Sequence, residues 1–174
     1  MQGALPTKTH SYNVYFGENQ DKFLGTTSID LPDMDALTET LSGAGILGEI
    51  DEPLVGMFGS TEIEIPFRVV DTQMFRQAKM KQSVHLTLRI STQGIDRTDL
   101  QTDFIPTRIV IKGKNKGLAL GSVEQGKEGN PSLKTEILYL LVEVDKMRVL
   151  ELDKLNYVYS VRGDDQLKKV RAQI

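Results

Sequence analysis

The segment Lys134–Asp145, KTEILYLLVEVD, constrains the fold of this chain more than any other. It is rich in β-branched, aromatic and aliphatic residues and holds no glycine or proline, so it reads as a strand. Simple alternation puts Leu138, Leu140 and Val142 on one side and Ile137, Tyr139 and Leu141 on the other. A strand with one face in water has no use for two apolar faces. Cover on both sides is therefore expected, from a helix or from a neighbouring copy. Tyr139 and Leu141 are accordingly expected at a subunit contact.

The rest of the chain also reads mainly as strands. Ser11–Phe16 is aromatic and β-branched and stops at Gly17; Phe23–Leu31 is closed by Pro32. Glu62–Arg68 alternates Ile63, Ile65 and Phe67 against Glu62, Glu64 and Arg68, with Pro66 marking an edge or a bulge. Ser83–Ser91 alternates Val84, Leu86, Leu88 and Ile90 against His85, Thr87 and Arg89. Thr107–Lys112 is another strand, and Gly113–Ser132 follows as a polar, glycine-rich stretch. A turn at 144–147 leads into Arg148–Leu152, and Asn156–Val161 is the last strand. One helix is expected over Asp71–Lys81, capped by Asp71 or Thr72 and burying Met74, Phe75 and Ala78. Gly163, Asp164 and Asp165 are expected to cap a short carboxyl-terminal helix. The fold class is thus mainly β (β+α): an antiparallel β-sandwich or barrel with one flanking helix and a short terminal one. With no linker or internal repeat, residues 1–174 form one domain.

Residues 33–60 stand apart. They combine glycines with Ile46, Leu47, Leu54, Val55, Met57 and Phe58, and are expected as a long irregular loop. A loop of that length in a compact domain is commonly functional. Apolar side chains on a protruding loop can be buried only against another molecule.

Chemistry is sparse. The chain has no cysteine, so thiolate catalysis, disulfides and Cys-bound metals are excluded. Its two histidines are isolated: His10 sits in an amino-terminal segment expected to be flexible, and His85 lies on a polar strand face without a ligand-spaced partner. Gly43–Gly48 and Gly113–Gly121 lack the strand-to-helix setting of a phosphate-binding loop. No cofactor is called for. A net charge of −3 does not suit stable binding to phosphates. The tripeptide Arg162-Gly163-Asp164 and the lysines 112, 114 and 116 read as solvated turns. The amino terminus lacks the apolar core of a signal peptide, and no apolar run approaches membrane-helix length.

Taken in order, IDLPDM, LSGAG with GEIDEP, EIEIPF, RIVIKGKNKGLALGSVEQGK and KTEILYLLVEVDKMRVLELDKLNYVYSVRGDDQL resemble the major tail tube proteins of contractile-tailed phages, over nearly the whole chain. The segment DEPLVGMFGS is longer than that pattern. The resemblance implies hexameric rings that stack into a hollow tube, with DNA passing through but not specifically bound. It also implies sheath, terminator, baseplate and tape-measure proteins as partners, and a virion tail assembled in the bacterial cytoplasm. The implied role is structural, not enzymatic. Function should then lie in interfaces. Leu41, Gly43, Ala44, Gly45, Ile46, Leu47, Gly48 and Leu54 are expected to reach the next ring or neighbour, with Ile46 and Leu47 as anchors and the glycines allowing close approach. Glu62 and Glu64, with Arg89 as a mixed-sign neighbour, are the candidates to face the lumen. Three alternatives differ in what they require. The tube of a phage-like bacteriocin or secretion system would share this assembly logic. A ligand-binding β-sandwich would need a concave aromatic pocket, and a carboxylate hydrolase would lose activity in Glu62→Gln.

Overall fold

The computed structural model describes residues 4–17, 21–23 and 26–174. In chain order the strands are β1 (Ala4–Phe16), β2 (Asp21–Phe23), β3 (Ala36–Ser42), β4 (Glu49–Phe58), β5 (Glu62–Pro66), β6 (Ser83–Asp96), β7 (Thr102–Ala119), β8 (Ser132–Val144), β9 (Met147–Asp153), β10 (Val158–Val161) and β11 (Asp164–Asp165). Helix α1 (Thr72–Gln77) follows β5, and α2 (Lys168–Gln173) ends the chain. One antiparallel sheet runs β11-β10-β9-β8-β7-β6-β1-β2, and β5 pairs the start of β8. The path is open, not closed into a barrel. A separate two-stranded sheet joins β3 to β4.

The core lies on one face of the large sheet. Val14 and Phe16 of β1, Leu86 and Leu88 of β6, and Ile109 and Ile111 of β7 point there. Ile63, Ile65 and Phe67 close over them from β5 and its end, and Met74 of α1 adds a plug. Each such side chain, fully buried, contributes about 1.5–3 kcal/mol. The alternation read from Glu62–Arg68 and Ser83–Ser91 therefore holds.

The phase of β8 does not run as simple alternation predicts. Lys112 faces Tyr139 while the next residue, Gly113, faces Ile137, leaving Leu138 as the extra residue of a β-bulge. The bulge moves Ile137 onto the core face together with Leu140, with Val142 packed beside them. Gly113 suits this spot, because a Cβ there would lie 1.9 Å from the Glu136 carbonyl oxygen. Tyr139 and Leu141 point to the other face.

Several elements differ from their expected bounds. β1 begins at Ala4, so His10 is in a strand, edge-on to Phe104 at 5.2 Å. The expected strand Phe23–Leu31 reduces to β2 and one bridge, Thr26 to Phe67; residues 24 and 25 lie outside the described residues. β7 extends to Ala119: Lys112, Lys114 and Lys116 are exposed, Gly113 and Asn115 between them are buried, and the stretch pairs with β8. The helix at 71–81 covers only six residues, without a side-chain cap, and Phe75 is 44% exposed. Arg162 and Gly163, both at positive φ, form a tight turn into β11 instead of a helix cap. Asp165 does prepare α2: its carboxylate accepts the Leu167 amide and pairs with Arg171.

Candidate functional site

The stretch 33–60 is not irregular. It folds as a β-hairpin, β3 with β4, which we call the arm. The signal was present in ALTETLS, where Leu37, Glu39 and Leu41 alternate with Thr38 and Thr40. Dense glycine obscured it, yet those glycines make the turn. Gly43, Gly45 and Gly48 all take positive φ, where a side chain would be strained, and Ile46 N–H donates to the Gly43 carbonyl at 3.1 Å.

Seven residues of β3 at about 3.3 Å each give the arm a reach of about 23 Å. Register puts Leu41 opposite Ile50 and Glu39 opposite Glu52. One arm face thus carries Leu37, Leu41, Ile50 and Leu54, all exposed, with the Glu39–Glu52 pair between them. At the tip, Ala44 is exposed, Ile46 is half-buried and Leu47 is 106% exposed. Every residue of β3 is exposed, and among the described residues the two strands have only each other as ladder partners. Residues 36–55 add nothing to the core.

The root of the arm, in contrast, is fastened. Phe58 packs edge-on against Tyr159 at 5.1 Å. A Cβ on Gly56 would meet Leu167 at 2.7 Å, so only glycine allows the root to seat against that buried leucine. Beyond β4, the Glu136 carboxylate accepts from Ser60 Oγ at 2.6 Å and from the Thr61 amide at 3.3 Å. Lys154 Nζ donates to the Gly59 carbonyl at 2.9 Å and lies 3.6 Å from Glu136. Burial pushes the Glu136 carboxyl up. The Ser60 and Thr61 hydrogen bonds, with Lys154 and Lys116, outweigh it and hold Glu136 below its ordinary value. Composition and periodicity gave no hint of this clamp, because its members are far apart in sequence.

Glu62, Glu64 and Arg89 share the sheet face turned away from the core, but they are not neighbours. Glu62 pairs with Lys116 at 3.1 Å, and Glu64 lies near Lys134 at 3.6 Å and accepts from Ser132. Arg89 sits on β6, over the Tyr15 ring at 5.0 Å. Around it the face has mixed sign: Arg108 pairs with Glu143 at 2.6 Å, and Lys112 lies 5.5 Å from the Tyr139 ring centre. Tyr139 donates to Glu151 at 3.0 Å, whereas Leu141 is only 5% exposed beneath its neighbours. Burial, then the bond to Glu151, pushes the Tyr139 phenol up to about 12. Among the described residues, no group of three or more His, Asp or Glu could hold a metal, and no helix is long and apolar enough to cross a membrane.

An open sheet with a fastened, apolar, unpartnered arm is the geometry of a part made to join other parts. The model of the family described as phage tail tube protein FII matches residues 6–174. The chain belongs to the phage tail tube protein FII family. Its role is that of a phage tail tube structural protein. The tail tube protein of Escherichia phage P2 is 22% identical over 172 residues, which span 98% of each chain. The match begins within β1 and runs through α2, so the family's pattern takes in the arm as well as the large sheet.

Proposed function

We propose that this tail tube protein forms hexameric rings that stack into the hollow inner tube of a contractile tail, with the arm reaching between copies. The observation that carries the reading is the arm. It exposes Leu37, Leu41, Leu47, Ile50 and Leu54 while its root is packed and hydrogen-bonded. Apolar side chains held out on a fastened strand pair are stable only if another surface covers them. Contacts between unlike surfaces of identical copies close into rings or continue into open stacks. The end strands β2 and β11 of the large sheet each pair on one side only, which gives further edges for copy-to-copy pairing.

In this reading Leu41, Leu47 and Leu54 are anchors, Gly43, Gly45 and Gly48 shape the tip, and Ile46 supports it from within. Tyr139 lies at a ring contact over Leu141. The outward face bearing Glu62, Glu64 and Arg89 lines the lumen, where its mixed charge lets DNA pass without being held. The location is the virion tail, after assembly in the host cytoplasm, and the partners are sheath, terminator, baseplate and tape-measure proteins. No catalytic step is assigned. Negative-stain microscopy of the purified protein is expected to show rings or tubes. A monomer that persists at high concentration would refute the reading. Leu47→Asp or Ile46→Asp is expected to leave soluble, folded subunits without tubes; normal tubes from both would remove the arm from the interface.

A further inference from the structure

Residues 68–82, which hold α1, form a corner that is pinned at both ends and exposed between them. Before it, the buried Phe67 donates its amide to the Pro131 carbonyl at 2.8 Å; after it, Ser83 enters β6 opposite Lys114. Met74 alone of this run is buried, while Val69, Val70, Phe75 and Met80 are exposed, Met80 to 65%. Arg68, Arg76, Lys79 and Lys81 stand among them against one carboxylate, Asp71, for a net charge of +3. Arg68 pairs with Glu128, but Arg76, Lys79 and Lys81 have no ion-pair partner among the described residues. Apolar and cationic side chains alternate here, so a surface that covers this corner must offer apolar groups and carboxylates together.

We propose that this corner receives the arm of a second copy of the chain. The inference rests on the tube reading and names the surface that the arm meets. Charge and apolar pattern together identify the occupant. Residues 36–58 carry Glu39, Glu49, Asp51 and Glu52 and no cation, so the net −3 of the chain divides into −4 on the arm, +3 on the corner and −2 on the rest. Register sets Glu39 directly opposite Glu52, a like-charge pair that is unfavourable within the hairpin alone. The pair lies between Leu41 with Ile50 on one side and Leu37 with Leu54 on the other, so the arm offers carboxylates flanked by exposed apolar groups. The corner offers the converse, cations flanked by Phe75 and Met80. Seated together, the cations relieve the Glu39–Glu52 repulsion while the aliphatic side chains cover Phe75 and Met80. Apolar burial supplies the affinity, and charge selects the partner and its orientation. Arm and corner are both exposed within the copy, so they do not meet there. They are unlike surfaces of one chain, and a contact between unlike surfaces repeats from copy to copy. Met74 plugs the core from the corner, which puts α1 on the core side of the large sheet and leaves the outward face to the lumen. The exposure of Phe75, expected inside, also follows, because its cover is the next copy.

Charge reversal tests the pairing. One chain carries Glu39→Lys with Glu52→Lys, a second carries Arg76→Glu with Lys79→Glu, and a third carries all four changes. The four positions are exposed, so each chain is expected to keep its melting temperature within a few degrees of the unaltered protein. The first and second chains alone are expected to form no tubes, because like charges then face each other at the contact. An equimolar mixture of the two is expected to form tubes that contain both, since every arm again meets a corner of opposite sign. The third chain is expected to assemble by itself. Normal tubes from the second chain alone would overturn the proposal and leave the corner to some other partner. Folded chains whose mixture and whose fourfold variant both stay unassembled would overturn it as well. In tubes of the unaltered chain, a carbodiimide that joins touching carboxylates and amines is expected to link Glu39 or Glu52 to Lys79 or Lys81, mapped by mass spectrometry; intact tubes that yield other links but never these would count as refutation. Failure of the unaltered chain to form tubes at all would instead strike the tube reading, so the two failures are distinct.

Discussion

Single residues carry two measurable consequences. Thr135 is 1% exposed on the core face of β8, and its hydroxyl has no hydrogen-bond partner among the described residues. A buried hydroxyl without a partner costs about 1–3 kcal/mol. Thr135→Val keeps the shape and removes that cost, so it is expected to stabilise the fold by about 1 kcal/mol, seen as a higher urea midpoint. Tyr139 makes the opposite kind of statement. Its phenol is pushed up to about 12 by burial and then by Glu151, so the folded state holds a proton that the unfolded chain has begun to lose near pH 10. Stability from this group is complete below about pH 10 and falls as pH rises towards 12. Tyr139→Phe is expected to flatten that part of the stability curve, measured by chemical denaturation at pH 9 and pH 11.5. A phenol that ionises with the exposed tyrosines in an ultraviolet titration would contradict the shift. Neither feature was legible in the sequence. Thr135 and Tyr139 look alike there, as ordinary members of a strand, and only packing separates the orphaned hydroxyl from the satisfied one.

At the scale of elements, turns and clamps decide geometry. The β8–β9 turn places Asp145 and Lys146 at φ of 50° and 65°, the paired positive values of a type I′ hairpin. Such turns favour glycine at the second position, because a side chain there is strained by about 1 kcal/mol. Lys146→Gly is therefore expected to raise the melting temperature by about 2–4 °C. The clamp under the arm depends on charge. Glu136 is held below its ordinary value, so its contribution is present above the unfolded carboxyl range and is lost as pH falls through the lowered folded value. Glu136→Gln is expected to cost about 1 kcal/mol at pH 7, a modest figure because the side chain is a quarter exposed. The gap between the two proteins should narrow in thermal melts as pH falls below the ordinary carboxyl range; a gap of constant size would place the loss in packing instead. Strand identity at Glu62–Arg68 and Ser83–Ser91 was legible because alternation and burial share a period of two residues. The bulge at Leu138 was not, since one added residue reverses the phase without changing composition. The arm was half legible: alternation in β3 was visible, but glycines that serve a hairpin turn look the same as glycines of an irregular loop.

For the whole molecule, the arm and the body separate cleanly. No residue of 36–55 belongs to the core, so replacing residues 39–52 by Asn-Gly is expected to leave the melting temperature within a few degrees. Under the tube reading the same change abolishes rings and tubes in the electron microscope. A shortened chain that no longer folds would show that the arm supports the body, contrary to its lack of core contacts. What the sequence determined alone is the class: a mainly β, cysteine-free chain with no catalytic constellation, whose ordered motifs match one structural family. These properties are local, in period, composition and motif order, and they survive without knowledge of where any strand lies. The tertiary structure decided the rest. It turned an expected loop into a fastened arm and moved Ile137 to the core face by a single bulge. It also brought Ser60, Glu136 and Lys154 together from three distant segments. Pairing partners and burial depend on contacts between residues far apart in the chain, and a one-dimensional pattern carries no information about which distant segments meet.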